Sequence, residues 1–300
     1  MRPLLILLAL LPLVPSPAQA QDDRFKDVVI ERTELGGGLY MLTGAGGNMA
    51  LLTGPEGAVL VDDQFAPLTE RIVASVKEVT DQPVQWVINT HWHGDHTGGN
   101  ENLGKAGAHI VAHRHVRDRM STQQVMEAFG RTVPPAPADA LPVLTFSEEL
   151  DLHWNGAHLR AHHVPNAHTD GDALIHFADH DVLHMGDLFF NGFYPFIDTG
   201  RRGSLAGMIA GAQAGLAIAT DSTKIIPGHG PLADRAALQR YLTMLEAARD
   251  AIQPLADQGL SKEEIVAKKP TAALDAVWGQ GFLKPDVWVG IVVDGIRSGD

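Results

Sequence analysis

The feature that most constrains this chain is a run of metal-binding side chains placed directly after a buried strand. The stretch Val84–Thr90 has the apolar, β-branched composition of such a strand. Four potential ligands follow it: His91, His93, Asp95 and His96. If the chain stays extended, His91 and His93 share one side, and the glycine after them allows a turn that aims the other two at a second point. Imidazole and carboxylate suit zinc and related metals, so we predict a metal centre rather than a surface histidine cluster.

Three further candidates lie where later strands meet loops, which is where site residues usually occur. Asp187 follows the predicted strand Val182–Met185, and His229 stands between two glycines after the predicted strand Lys224–Pro227. His168 lies in a loop between two predicted strands. Each of them alone would pass for an ordinary loop residue. Together with the first run, they predict a site assembled from both halves of the chain.

The composition removes several classes of chemistry. The 300 residues include no cysteine, which excludes a disulfide framework, a thiol nucleophile, a thiolate zinc site and an iron–sulfur cluster. The formal net charge of −13 argues against a nucleic-acid partner, because proteins that bind phosphate backbones usually present a basic face. The informative excess is the 15 histidines. Nothing in the sequence indicates an oligomeric state.

The N-terminus has the three parts of a cleaved signal peptide. A positive charge at Arg2 precedes the apolar run Leu4–Val14, and the small-residue pattern Ala18–Ala20 follows. An N-terminal anchor or a buried strand is the alternative, but the run is short for spanning a bilayer. We therefore expect a signal peptide over residues 1–20 and one mature domain over 21–300. The mature protein would be secreted or periplasmic, with no membrane partner after cleavage.

The order of strand-like and helix-like patterns predicts the architecture. Short β-branched runs between glycine-rich turns predict a β-meander over residues 28–62, followed by an amphipathic helix. Beyond the ligand run we predict a helix over His115–Phe129 and a loop over Thr132–Leu141. The second half repeats strands followed by helices, at Leu205–Ala219 and from about Leu238 onward. This predicts an α/β protein with two sheets packed face to face and helices outside, a four-layer αββα sandwich.

These residues, in this order, resemble the motifs of the metallo-β-lactamase superfamily. The resemblance covers about residues 28–250 and implies the metallo-β-lactamase fold. It implies a first metal bound by His91, His93 and His168. It implies a second metal bound by Asp95, His96 and His229. Asp187 would bridge the two metals, and Asp62, which ends a predicted strand, would fix the ligand loop.

The resemblance also implies the reaction, which is the metal-dependent hydrolysis of a small-molecule substrate. The cofactor would be two zinc ions per chain that share a bridging hydroxide. Zinc lowers the pKa of bound water from 15.7 to about 7, so hydroxide forms at neutral pH. Asp95 would be the catalytic residue that orients this hydroxide and moves its proton.

Departures from the family pattern bear on the substrate. The subclass best known for broad antibiotic resistance carries a cysteine where this chain has Asp187, a lysine at Phe190 and an arginine at His96. The aspartate expected to bridge the metals makes the site resemble those of the glyoxalase II and lactonase branches instead. The first hypothesis is a β-lactamase-like enzyme that opens a cyclic amide, with antibiotic hydrolysis among its activities. The alternative is a lactone or thioester hydrolase. A di-iron oxidoreductase is disfavoured because such members carry glutamate where this chain has His93.

Two segments near the predicted site have two interpretations each. The aromatic segment Gly186–Asp198 would form either an apolar wall for a small cyclic substrate or part of the core. Asn191 or Tyr194 could also donate a hydrogen bond to an oxyanion. The turn Gly44–Asn48 would be either a flap over the metals or a tight hairpin turn. The remaining histidines, among them His163, are expected to be structural or on the surface.

Overall fold

The computed structural model describes residues 24 to 298, apart from the side chains of Glu127 and Ser298. The predicted signal peptide over residues 1–20 lies outside this part of the chain. That segment and the domain boundary after it therefore stay predictions. Within residues 24–298, no helix has the length and apolar character needed to cross a membrane.

Strands dominate the N-terminal part of each half, and the longer helices follow them. The strands are β1 (Glu31–Gly36), β2 (Leu39–Thr43), β3 (Met49–Leu52), β4 (Ala58–Val61), β5 (Val84–Asn89), β6 (His109–His113), β7 (Gln124–Met126), β8 (Arg131–Val133), β9 (Leu144–Phe146), β10 (Glu149–Trp154), β11 (Ala157–Val164), β12 (Asp172–Phe177), β13 (Val182–His184) and β14 (Lys224–Ile226). The α-helices are α1 (Thr69–Lys77), α2 (Gly94–Thr97), α3 (Asn100–Lys105), α4 (Arg114–Met120), α5 (Leu205–Ile218), α6 (Arg235–Asp257), α7 (Lys262–Ala267), α8 (Asp275–Trp278) and α9 (Pro285–Ser298).

Two sheets carry the fold. The first has the order β1-β2-β3-β4-β5-β6-β9, with the predicted meander β1–β4 antiparallel and the pairs β4–β5, β5–β6 and β6–β9 parallel. The second has the order β10-β11-β12-β13-β14, and β14 runs parallel to β13. Strands β7 and β8 pair only with each other and form a separate two-stranded hairpin.

The two sheets pack face to face and are covered by helices on both outer faces. Val61 of β4 and Ile175 of β12 belong to one buried cluster between the sheets. Ile72 of α1 packs in a second cluster on the outer face of the first sheet. Leu216 of α5 and Leu245 of α6 belong to a third cluster on the outer face of the second sheet. The predicted αββα sandwich is confirmed.

The predicted helix over His115–Phe129 is wrong beyond its first turns. Helix α4 ends at Met120, where the Ser121 hydroxyl donates to the carbonyl of Arg117 (2.7 Å). The Gln124 side-chain amide then donates to the carbonyl of Arg119 (2.9 Å). Side chains that bind the last carbonyls of a helix compete with its continuation, and the chain after them enters the β7–β8 hairpin.

The C-terminal helix α9 packs on the core. The indole of Trp288 is fully buried and stacks on the ring of Tyr194, with centroids 4.1 Å apart and planes at 8°. Tyr194 lies in the segment that follows Asp187, so α9 supports the chain next to the predicted site.

Replacing Trp288 by alanine should therefore lower the free energy of unfolding by about 3–5 kcal/mol, because a large buried ring is lost. The neighbouring Val287 is 54% exposed, and Val287→Ala should change stability by less than about 0.5 kcal/mol. Urea titrations followed by circular dichroism would compare both variants with the parent. Equal stability of the two variants would contradict the packing described for α9.

Candidate metal centre

Loops at one edge of the two sheets bring all seven predicted ligands together. Each loop follows or precedes a strand that is anchored in a sheet, so the backbone positions are set by strand pairing. The residues are His91, His93, Asp95 and His96 after β5, His168 before β12, Asp187 after β13 and His229 after β14. Their convergence is what the sequence predicts, while their binding of metal stays a prediction.

The first predicted ligand set is compact and buried. The nitrogen and carboxylate atoms of His91, His93, His168 and Asp187 that could bind an ion lie within 4.8 Å of one another. His168 Nε2 lies 2.8 Å from His93 Nδ1 and 3.3 Å from Asp187 Oδ2. All four residues are at most 5% exposed.

The second predicted set adjoins the first through Asp187. The ligand atoms of Asp95, His96 and His229 also lie within 4.8 Å of one another. Asp187 Oδ1 lies 3.1 Å from His96 Nε2 and 3.4 Å from His229 Nε2. One carboxylate oxygen therefore faces the first set and the other faces the second. This is the placement that a bridging carboxylate needs.

Hydrogen bonds at the far ring nitrogens orient two ligands of the first set. His168 Nδ1 lies 2.8 Å from the carbonyl oxygen of Phe196, so it donates and leaves Nε2 with a free lone pair. His93 Nε2 lies 3.1 Å from Asp198 Oδ2, which leaves Nδ1 free. Metal-binding histidines commonly donate their other ring N–H to such acceptors. The sequence does not predict the role of Asp198, because this residue follows no predicted strand and belongs to no metal-ligand motif; its contact with His93 joins residues 105 positions apart.

Asp62 connects the two sets. Its Oδ2 accepts from His96 Nδ1 (2.7 Å) and from the Thr90 hydroxyl (2.7 Å), while Oδ1 accepts from the Thr90 backbone N–H (2.8 Å). The Thr90 oxygen in turn accepts from His91 Nδ1 (3.0 Å). One buried carboxylate thus orients one ring of each set. This supports the predicted role of Asp62 in fixing the ligand loop.

The charges of the centre fit divalent cations. Burial favours the neutral form of Asp187, yet the surrounding imidazoles, with His96 the strongest, hold its pKa well below its usual value. Burial likewise disfavours protonation of His229, but the carboxylates of Asp187 and Asp95 raise its pKa to about 9. Burial lowers the pKa of His91.

Neither His91 Nε2 nor Asp187 Oδ1 makes a hydrogen bond, although both are buried. A buried imidazole nitrogen and a buried carboxylate oxygen that make no hydrogen bond are suitable ligands for zinc.

The turn Gly44–Asn48 is tied to the ligand loops. The N–H of Gly47 donates to the Asp95 carbonyl (3.0 Å), and the N–H of Asn48 donates to the Gly228 carbonyl (2.7 Å). A Cβ at position 47 would lie 2.0 Å from the His96 ring, so only glycine fits this approach. These contacts favour a fixed hairpin turn over a flap.

The aromatic segment after Asp187 belongs mainly to the core. Phe189, Phe190 and Tyr194 are at most 1% exposed, so the predicted apolar wall is wrong for them. The Phe190 ring stacks on His229 at 5.1 Å. The Tyr194 hydroxyl donates to Asp275 (2.8 Å), which rules out its predicted alternative role as an oxyanion donor in this arrangement. Burial and packing decide whether this segment is an apolar wall or part of the core, and a sequence alone reveals neither.

A second histidine cluster lies behind the loop that carries His168. The rings of His113 and His163 stack at 3.6 Å, and His115 lies beside them. His115 donates to the carbonyl of Asp170 (2.9 Å), and His163 donates to the carbonyl of Asp172 (3.0 Å). Two parallel rings cannot both direct a lone pair at one ion. We therefore interpret the cluster as a brace for this loop, in agreement with the structural role expected for His163.

The comparison with known families agrees with the fold and the convergence of the ligand loops. Residues 42–240 match the model of the metallo-beta-lactamase superfamily. The chain belongs to this superfamily. The superfamily is hydrolytic and metal-dependent, binds zinc and acts on small-molecule substrates.

Several known proteins resemble the chain. A linear primary-alkylsulfatase from Pseudomonas sp. is 24% identical over 73% of this chain and 49% of its own length. A hydroxyacylglutathione hydrolase from Nitrosococcus oceani is 29% identical over 54% of this chain and 55% of its own length. The chain thus spans about half the length of these relatives. A metallo-beta-lactamase from Pontibacter korlensis has a similar fold, with a TM-score of 0.59, 21% identity and coverage of 72% of this chain and 99% of its own.

The position of Asp62 leads to a prediction for metal affinity. Asp62→Asn removes the charge that orients His91 and His96, so the affinity for zinc should fall about 10- to 100-fold. Competition against a chromophoric chelator would measure it, with the exposed Asp118→Asn as the matched control. A folded Asp62→Asn protein that binds zinc as tightly as the control would show that the hydrogen bonds of Asp62 do not act on the ligands.

Proposed function

We propose that this protein is an exported dinuclear zinc hydrolase that cleaves a small ester, thioester or lactone. The observation that carries the proposal is the placement of Asp187, whose two carboxylate oxygens each face one of the two ligand sets. Bound zinc would supply hydroxide at neutral pH and stabilise negative charge on the substrate oxygen.

The chain's own residues supply orientation and proton transfer. The Asp95 side chain is 29% exposed, and its Oδ2 lies 3.3 Å from His229 Nε2. It is the one carboxylate of the seven ligands with access to solvent, so it can pass a proton out of the centre. Asp198 and Asp62 keep the histidine lone pairs directed inward and so preserve the geometry of the site during turnover.

Phe190 favours an ester-type substrate over a cyclic amide. The resistance-associated subclass carries a substrate-binding lysine here, whereas Phe190 is buried and stacked on His229. No cation therefore lies at this place to bind the carboxylate of a β-lactam. The similarity to a hydroxyacylglutathione hydrolase supports the same substrate class.

A cyclic amide is the second candidate, and the predicted signal peptide supports it. Export through residues 1–20 would place the enzyme in the periplasm or outside the cell, where β-lactam antibiotics act. Hydrolysis of antibiotics would then be an activity of the same centre.

A substrate panel on zinc-reconstituted protein tests the proposal. Acyl lactones and thioesters should be hydrolysed faster, in kcat/KM, than nitrocefin and a carbapenem. His93→Ala should lower kcat by more than about 100-fold, beyond the loss typical of residues that only orient a ligand. The exposed His153→Ala is the matched control and should retain full activity. Equal activity of the His93→Ala and parent proteins towards every substrate would refute the two-metal mechanism, and faster turnover of nitrocefin would favour the cyclic amide.

Export has its own test. The full chain expressed in a Gram-negative host should yield a periplasmic protein that begins near Gln21. N-terminal sequencing and intact mass would identify the cleavage point. A cytoplasmic product that keeps Arg2 would contradict the proposed localisation.

A further inference from the structure

A cleft of about 730 Å³ opens onto the candidate metal centre. His93 and Asp95 of the centre line it. It is also lined by Phe65, Pro67, Gly98, Met126, Phe129 and Arg131. We call the part from the loop before α1 one wall and the part from the β7–β8 hairpin the other. A volume of this size accommodates a small molecule.

The hairpin is fixed in place beside the centre. The guanidinium of Arg201 donates to Gln124 Oε1 (2.6 Å) and to the Val125 carbonyl (2.9 Å), which holds β7 to the chain after Asp198. The Phe129 ring packs on Phe196 with centroids 4.8 Å apart. The Phe196 ring itself lies 5.8 Å from the rings of His93 and His168. The hairpin side chains therefore have defined positions relative to the ligands.

The Arg131 side chain indicates that the cleft binds an anionic ligand. The backbone of Arg131 pairs with Met126 across the hairpin, and the residue lines the cleft. Its guanidinium makes no hydrogen bond or ion pair with any described residue. By contrast, the Arg119 guanidinium pairs with Asp170 (2.5 Å). In a chain with a net charge of −13, an unpaired arginine at the mouth of a catalytic cleft is available for a substrate anion.

The rest of the cleft is apolar or cationic. Phe65 and Phe129 lie on its two walls, and Phe129 is 48% exposed. Arg24 adds a second positive charge, and its guanidinium lies 4.9 Å from the centre of the Phe65 ring. Asp95 is the one carboxylate among the described lining residues, and it belongs to the predicted ligands. This lining fits a molecule that joins an apolar part to an oxyanion.

We propose that Arg131 binds a carboxylate or sulfate-type group of the substrate, while Phe65 and Phe129 contact the adjoining apolar part. The inference rests on the proposed function only for the bond that is cleaved. It assigns specificity to the hairpin, on a different element from Phe190, where the resistance-associated lactamases carry their lysine. The planar guanidinium matches both types of oxyanion with paired hydrogen bonds.

A matched pair of esters tests the role of Arg131 in turnover. The substrates are 4-nitrophenyl hydrogen glutarate and 4-nitrophenyl valerate, which share the ester and the chain length and differ in the terminal carboxylate. Arg131→Ala should lower kcat/KM for the glutarate about 10- to 100-fold, mainly through KM, and should change the valerate less than about twofold. Arg131→Lys should retain part of the preference. Arg240→Ala, an exposed arginine on α6, is the control and should change neither substrate.

Ligand binding separates this inference from the proposed reaction. Titration calorimetry on the zinc-loaded protein would compare 4-phenylbutyrate, 4-phenylbutane-1-sulfonate and the neutral 4-phenylbutanol. Both anions should bind at least about tenfold more tightly than the alcohol, and Arg131→Ala should remove most of that difference. Tight binding of the carboxylate alone would restrict the proposal to carboxylates.

The outcomes can be told apart. Anion binding that depends on Arg131, in a protein that hydrolyses none of the panel, would sustain this inference and refute the proposed ester hydrolysis. Ester hydrolysis with equal kcat/KM for the glutarate in the Arg131→Ala and parent proteins would do the reverse. Anion affinity that is unchanged in Arg131→Ala would mean that the zinc ions hold the anion, and it would overturn the role of Arg131.

Discussion

The carboxylate of Asp62 is the constraint on which the centre depends. It is fully buried, and burial of a charge is costly unless hydrogen bonds compensate it. Here a backbone N–H, a hydroxyl and an imidazole N–H supply that compensation. All three come from the chain after β5. Asp62, which directly follows β4, therefore also determines the path of the ligand loop. Its backbone has a φ of 61°, a conformation that non-glycine residues seldom adopt and that the surrounding contacts maintain.

The two sheets bring the two candidate ligand sets together. Candidate ligands from the first sheet approach from one side, and His168, Asp187 and His229 approach from loops of the second sheet. The approach is close, because a Cβ at position 228 would lie 2.1 Å from Asp187 Oδ1. The buried apolar cluster between the sheets, to which Val61 and Ile175 belong, holds the two sheets against each other. The packing of the core therefore determines the spacing between the candidate ligands.

Strand and helix periodicity predicted the fold class, and polar residues at strand ends, in an order that resembles the superfamily motifs, predicted the convergence of the seven candidate ligands. The sequence did not predict the contribution of Asp198, because Asp198 follows no predicted strand and belongs to none of those motifs. It left the aromatic segment open between an apolar wall and the core, because a run such as Phe189–Phe190 looks the same whether it faces a cleft or the core. The helix expected over His115–Phe129 failed for a third reason: side-chain hydrogen bonds to the last carbonyls of α4 ended a pattern that periodicity alone would continue.

The β7–β8 hairpin forms its own small sheet and shares no ladder with the two main sheets. Insertions, deletions or replacements in it would leave the strand register beneath the metal loops unchanged. Selectivity for substrates can therefore diverge between relatives, or be redesigned, without rebuilding the catalytic framework. The same independence makes the hairpin a natural site for grafting sequences from other members of the fold.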